Sequence, residues 1–158
     1  MSDEFVDKPF FVANKEINYI DAVNEELIDQ IVGQYVDIYK VSIDKTDDNV
    51  YGESSSKSYD KGFRVNCLLL YNSPEIQGDE FGPDLTTSIE MYFHRNTLKD
   101  ADFYPELGDL AHWNNMYFEI NSVTEPQIIG GNPLFQHEIR AMAHKSRLSS
   151  LQIEEIRR

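Results

Sequence analysis

Residues 109–123 read DLAHWNNMYFEINSV, two short apolar-rich runs, Asp109–Trp113 and Met116–Val123, on either side of Asn114-Asn115. Asparagine accepts positive φ at low cost, so an Asn pair between two such runs predicts a tight β-hairpin, with Trp113 and Phe118 carried into the core. Immediately upstream, Pro105-Glu106-Leu107-Gly108-Asp109 is a turn signal. Working outward, Phe63–Tyr71 (FRVNCLLLY) and Thr86–Arg95 (TTSIEMYFHR) read as strands. The acidic linker between them (NSPEIQGDEFGPD) carries two Pro and two Gly, and Asn96–Asp102 reads as a single helical turn. Beyond the hairpin, Thr124–Pro133 reads as a loop. Gln136–Lys145 fits either strand or helix, because Ile139, Ala141 and Ala143 alternate within a short segment.

Toward the N-terminus, Ala22, Val23, Leu27, Ile28, Ile31 and Val32 recur at three- and four-residue spacing, with Gly33 just past them. This predicts an amphipathic helix over 19–32. From Gln34 the period becomes two: Tyr35, Asp37, Tyr39, Val41 and Ile43 share one side of a strand, with Val36, Ile38 and Lys40 on the other. Residues 44–61 (DKTDDNVYGESSSKSYDK) are polar and Ser- and Asp-rich, which predicts a long projecting loop. The expected fold is mainly β, a small antiparallel β-barrel or sandwich with one N-terminal helix, an extended N-terminal arm and long loops. The expected organisation is an arm over 1–15, a single β-barrel domain over 16–147 with the projecting loop 44–61, and a short helical tail over 148–158. Leu148, Leu151, Ile153 and Ile156 would form the apolar side of that tail.

At 158 residues the chain fits one domain, and 41% hydrophobic with 12% aromatic residues supplies a core. The net charge of −14 argues against sequence-independent binding of nucleic acid, which depends on Lys and Arg meeting phosphates. The charge is uneven. Residues 137–158 hold five basic residues (Arg140, Lys145, Arg147, Arg157 and Arg158) against three acids, a net of +2, and residues 1–136 carry −16. An acidic body with a basic tail lets copies attract head to tail. No run approaches the length of a membrane span, so no membrane contact is expected. The start Met1-Ser2-Asp3-Glu4 is acidic where a leader would be basic, so the mature chain is expected to begin near Met1.

The chemistry-bearing patterns are weak. Ser54-Ser55-Ser56-Lys57 matches S-x-x-K, but it lies in a Ser-rich loop without the companion elements that activate a serine. His137, Glu138 and His144 lack the spacing of a zinc site. Neither Asp44, Asp47, Asp48 and Asn49 nor Asp79, Glu80 and Asp84 follows the ligand order of a calcium loop, so both groups read as solvated acidic loops. Cys67, the one cysteine, sits among Val65, Leu68, Leu69 and Leu70 and is expected to be buried and inert, in a reducing setting. Gly130-Gly131-Asn132-Pro133 lacks phosphate-loop spacing and reads as a turn. No catalytic residue, metal or cofactor is expected, and Asp79 with Glu80 is too ordinary a pair to support a small hydrolase.

One block carries a resemblance. Phe93-His94-Arg95-Asn96-Thr97-Leu98, Pro105-Glu106-Leu107-Gly108-Asp109-Leu110, Phe118-Glu119-Ile120 and Gly130-Gly131-Asn132-Pro133 together span about Thr86–Pro133. The block resembles neck proteins, the head-completion or head-closure subunits of contractile-tailed T-even-type phages. The opening Glu25–Tyr39 (EELIDQIVGQYVDIY) looks like small neck proteins of their marine relatives. The resemblance implies a virion protein at the head-tail junction, assembled in the host cytoplasm as a homo-oligomeric ring, commonly of six copies. It also implies portal or adaptor proteins on one side, tail-terminator proteins on the other, and DNA passing through the channel without specific binding. It implies no enzyme activity. A tail-terminator or baseplate barrel is the nearest alternative. On that footing the expected inter-subunit contacts are Phe5, Phe10 and Phe11 in the arm, Val50, Tyr51 and Tyr59 in the loop, and Arg140, Arg147, Arg157 and Arg158 toward the C-terminus.

Overall fold

The structure, a computed structural model, describes residues 14–42, 47–48, 54–56, 59–79, 82–125 and 136–146. The tail 148–158, the loop 126–135 and the arm up to residue 13 lie outside the described residues. The last two residues of the expected arm, Asn14 and Lys15, open a helix, α1 (Asn14–Glu26), which continues through a π-helical turn over Leu27–Val32. The helix therefore begins five residues before the apolar spacing predicts. It ends where expected: Gly33 takes φ +58° and gives its N–H to the carbonyl of Ile28, a left-handed cap that glycine adopts without strain.

The strands are β1 (Tyr35–Tyr39), β2 (Asp47–Asp48), β3 (Ser54–Ser56), β4 (Phe63–Asn66), β5 (Leu68–Asp79), β6 (Gly82–His94), β7 (Leu110–Trp113), β8 (Met116–Thr124) and β9 (Glu138–Lys145), with helix α2 (Arg95–Asp100) after β6. Seven of them form one antiparallel sheet in the order β4-β1-β7-β8-β9-β6-β5, and β2 pairs with β3 alone. The mainly antiparallel β fold is as the sequence predicts, but the sheet is not closed into a barrel. Its ladder ends at β4 on one side and β5 on the other. These two strands are nevertheless one chain run, interrupted only at Cys67. Residues 63–66 pair with β1 and the run from Leu68 pairs with β6, so the chain changes partner instead of pairing on both sides along its length. At the change, Cys67 N–H goes to the Gln34 carbonyl (2.9 Å) and Leu69 N–H to Gln34 Oε1 (3.2 Å).

Strand alternation builds a single core on the inner face. Val36 and Ile38, Val65 and Cys67, Ile89, Met91 and Phe93, Phe118 and Ile120, and Ile139, Ala141 and Ala143 all point inward, joined by Leu98 from α2. Small residues stand opposite large ones: Ala111 faces Phe118, Ala141 faces Met91, and Ala143 lies between Ile89 and Ile120. That alternation fills the interior without overpacking. In β8 a register shift between Ile120 and Ser122 adds one residue, which brings Val123 opposite the buried Ala141 and back against the core. Burial pushes the Cys67 thiol up to about 12, so it stays protonated and unreactive, as the sequence suggests.

Two expected loops contain strand. The acidic linker after Tyr71 is the far end of a β5–β6 hairpin, paired from Glu75↔Thr86 to Asp79↔Gly82. Pairing of β6 with β9 stops at Ser88, so this hairpin runs past the sheet as a two-stranded ribbon. Pro74 falls within the register shift between Asn72 and Glu75, where no ladder bond is required of it. Within the loop 44–61, β2 and β3 pair, and Tyr59 bridges to Val41. Just after it, Gly62 lies against the Tyr39 ring, where an added Cβ would meet Cε1 at 2.7 Å and Cζ at 2.8 Å. Gly62→Ala is expected to lower stability by about 1–3 kcal/mol through overpacking. The same change made in a Tyr39→Ala background should cost much less, as read from urea midpoints.

Candidate functional site

The described surface has three features beyond ordinary solvation: a paired row of charges on the outer sheet face, a braced turn beside it, and an uncovered helix. The row crosses the sheet at one level. Arg64, Asp37, His112 and Tyr117 occupy successive cross-strand positions on β4, β1, β7 and β8. Arg64 holds Asp37 in two bonds, Nε to Oδ1 at 2.7 Å and Nη2 to Oδ2 at 3.1 Å, and its guanidinium lies 4.2 Å from the Tyr35 ring centre. His112 Nδ1 is 3.8 Å from Asp37 Oδ2, and its ring packs 4.7 Å from that of Tyr117. A shallow groove of about 610 Å³ runs along this row past Gln34, Trp113 and Asn115.

The Arg64 hydrogen bonds hold the Asp37 carboxyl below its ordinary range, against a smaller opposing effect of burial. The sign follows from the lowered folded-state value. The pair contributes fully above the unfolded carboxylate value near 3.8, and the contribution is lost as pH falls through the folded value. The stability gap between the wild type and Asp37→Asn should therefore be open at pH 6 and close between about pH 4 and pH 2. Urea midpoints at four pH values check this, and a gap unchanged down to pH 2 would remove the ion pair as its cause.

The turn is braced by Asp109, which is 1% exposed. Its carboxylate accepts the N–H groups of Glu106 (2.8 Å) and Val41 (3.2 Å) and lies 3.1 Å from Lys40 Nζ. Lys40 also donates to the Tyr104 carbonyl, pairs with Glu106 at 3.1 Å and sits over the Phe103 ring. The turn before β7 is thereby tied to the end of β1. On the opposite part of the sheet, Arg140 on β9 pairs with Glu90 on β6 at 2.7 Å, and Tyr92 donates its hydroxyl to the same carboxylate. These hydrogen bonds, Tyr92 first, hold Glu90 below its ordinary range.

The third feature is α1. Ile17 alone of residues 14–32 is buried, while Tyr19 and Ile31 are 72% and 70% exposed and Ile20, Val23 and Leu27 lie between 38% and 44%. The apolar spacing that predicts the helix thus marks a side that the described body does not cover. Leu70 and Tyr71 on edge strand β5 add 48% and 46% exposed surface.

Of the expected contact residues, Phe5, Phe10, Phe11, Val50, Tyr51, Arg147, Arg157 and Arg158 lie outside the described residues. Tyr59 is partly buried, and its hydroxyl is pushed up to about 12 by burial and by the charges of Glu119 and Asp109. Arg140 is engaged within the chain by Glu90. His137, Glu138 and His144 do not converge; Glu138 stands opposite His94 and His144 opposite Glu119. Among the described residues no three metal-ligating side chains form a group, and no helix is long and apolar enough to cross a membrane. The Arg64–Asp37–His112 row escapes a reading of sequence because it exists only once the register brings three distant strands level. The alternation in β1 does set Asp37 on the side opposite Val36 and Ile38.

No family model matches the chain, and no curated protein matches it. Among solved structures the chain is similar to one from the virion of a native gene transfer agent (GTA) particle, at a TM-score of 0.46 and 13% identity. That likeness covers 73% of this chain and 96% of the other.

Proposed function

We propose that this chain is a structural subunit of a phage virion and, within it, of the neck ring that closes the DNA-filled head and receives the tail. The observation that carries the reading is the resemblance over Thr86–Pro133. Its described residues set the frame of the fold: Phe93, Phe118 and Ile120 are core residues, Leu98 pins α2, and Asp109 braces the turn before β7. A ring subunit needs surfaces that its own body leaves uncovered, which suits the apolar side of α1 and the edge of β5. The acidic body suits a channel in which DNA slides, because carboxylates near phosphates repel. The arm before α1, with Phe5, Phe10 and Phe11, is the proposed contact to an adjacent subunit.

The test is microscopy of virions carrying a tagged copy. The expected result is label at the head-tail junction, and loss of tail attachment or leakage of DNA when residues 1–13 are removed. Label at the distal tail end would favour the tail-terminator or baseplate reading. Absence of the chain from purified virions would overturn both.

A further inference from the structure

The uncovered side of α1 is acidic as well as apolar. Glu16, Glu25 and Glu26 are exposed against Lys15, a net of −2 beside the stripe of Tyr19, Ile20, Val23, Leu27 and Ile31, while Asp21 and Asp29 are half-buried and Asp29 accepts from the Thr97 hydroxyl. That balance argues against the simplest cover, the same helix from a second copy, since two such faces would set three exposed carboxylates against three. The occupant must bring apolar side chains and positive charge together. In this chain one stretch does both. Among the stretches outside the described residues, 147–158 alone joins a positive surplus to apolar side chains, and just before it Arg140 is already paired with Glu90. Arg147–Arg158 (RLSSLQIEEIRR) sets three arginines, placed at its two ends, against Glu154 and Glu155, a net of +1 around Leu148, Leu151, Ile153 and Ile156.

The lengths agree. From Ile20 to Ile31 the stripe covers about 16 Å of helix axis, and twelve residues span about 18 Å as a helix. We propose that the apolar, acid-rimmed side of α1 is the seat for residues 147–158 of a neighbouring copy. The contact is heterologous: each subunit offers α1 to one neighbour and its C-terminal segment to the other, the arrangement a closed ring requires. It rests on the ring reading above, to which it adds the pair of surfaces that join the copies.

Charge exchange tests it with the full-length protein, followed by light scattering across concentration. Glu25 and Glu26 are exposed, so Glu25→Arg with Glu26→Arg should leave the fold intact, as circular dichroism would verify. That variant, and separately Arg157→Glu with Arg158→Glu, should each need at least tenfold more protein to assemble than the wild type. Mixing the two should restore assembly, because the normal tail of one meets the normal helix of the other at one seam and the reversed tail meets the reversed helix at the next. A chain ending at Ser146 should remain folded and monomeric. The proposal is overturned if that truncated chain assembles as the wild type does, or if mixing restores nothing. It is equally overturned if the wild type stays monomeric at every concentration with 147–158 protected from protease, which would place the segment on its own α1. Its failure is separable from that of the neck reading: virions with labelled necks but an unaffected truncated chain would sink the contact alone. Rescue by mixing in a chain absent from virions would sink the neck reading alone.

Discussion

Replacing Phe118 by alanine is expected to destabilise the protein by about 3–5 kcal/mol, the range for a fully buried aromatic. The ring is wholly inaccessible on β8, in a core whose neighbouring inward positions include Ala111, Ala141 and Ala143. Methyl groups fixed on paired strands cannot move into the space, so most of the ring's volume would remain as a cavity. Trp113, expected from the hairpin alone to be its equal, is only partly buried. It packs on the core from the end of β7 with its ring 5.8 Å from that of Tyr71. Trp113→Ala should therefore cost less than Phe118→Ala, about 2–3 kcal/mol, since part of the removed surface is already in water. Urea unfolding of both variants separates the cases, and equal losses would mean that the indole belongs to the interior.

Asp109→Ala is expected to cost about 2–4 kcal/mol, for a reason unrelated to volume. Its carboxylate satisfies two backbone N–H groups and the Lys40 ammonium at once, and alanine leaves the two amides without an acceptor. Lys40 is about one-third exposed and recovers water, which keeps the loss below that of a fully buried pair. Asp109→Asn should recover part of it, because the carbonyl oxygen can still accept from one amide. A loss below about 0.5 kcal/mol, ordinary for surface changes, would show that the turn holds without the brace.

The parts of the fold visible in the sequence are those written in local chemistry. Asn114 and Asn115 take φ of 49° and 59°, as an Asn-Asn hairpin turn requires, and the alternation in Tyr35–Tyr39 separates Val36 and Ile38, which are buried, from Tyr35, Asp37 and Tyr39. The β5–β6 ribbon was hidden because Pro74, Gly78, Gly82 and Pro83 are loop residues by every local rule. In a two-stranded extension, half of the backbone groups need no partner, so those rules relax. The start of α1 was hidden for a different reason. Asn14, Lys15 and Glu16 are polar, so apolar spacing cannot see them, although they extend the helix. The open ladder was the hardest feature to read, because FRVNCLLLY looks like one strand and nothing in it announces a change of partner at Cys67. As for the surfaces, the apolar period of α1 was legible, but whether it faced inward or outward depended on the rest of the body.

That change of partner gives the molecule a mechanical property. Where the margins of an open sheet are separate chain segments, either can peel away alone, like the end of a zipper. Here both margins belong to Phe63–Asp79, a single length of backbone, so lifting β4 from β1 pulls on β5, and loosening β5 pulls on β4. Tension between the two margins is carried by covalent bonds through Cys67, while the joins between neighbouring strands of the ladder are carried by hydrogen bonds.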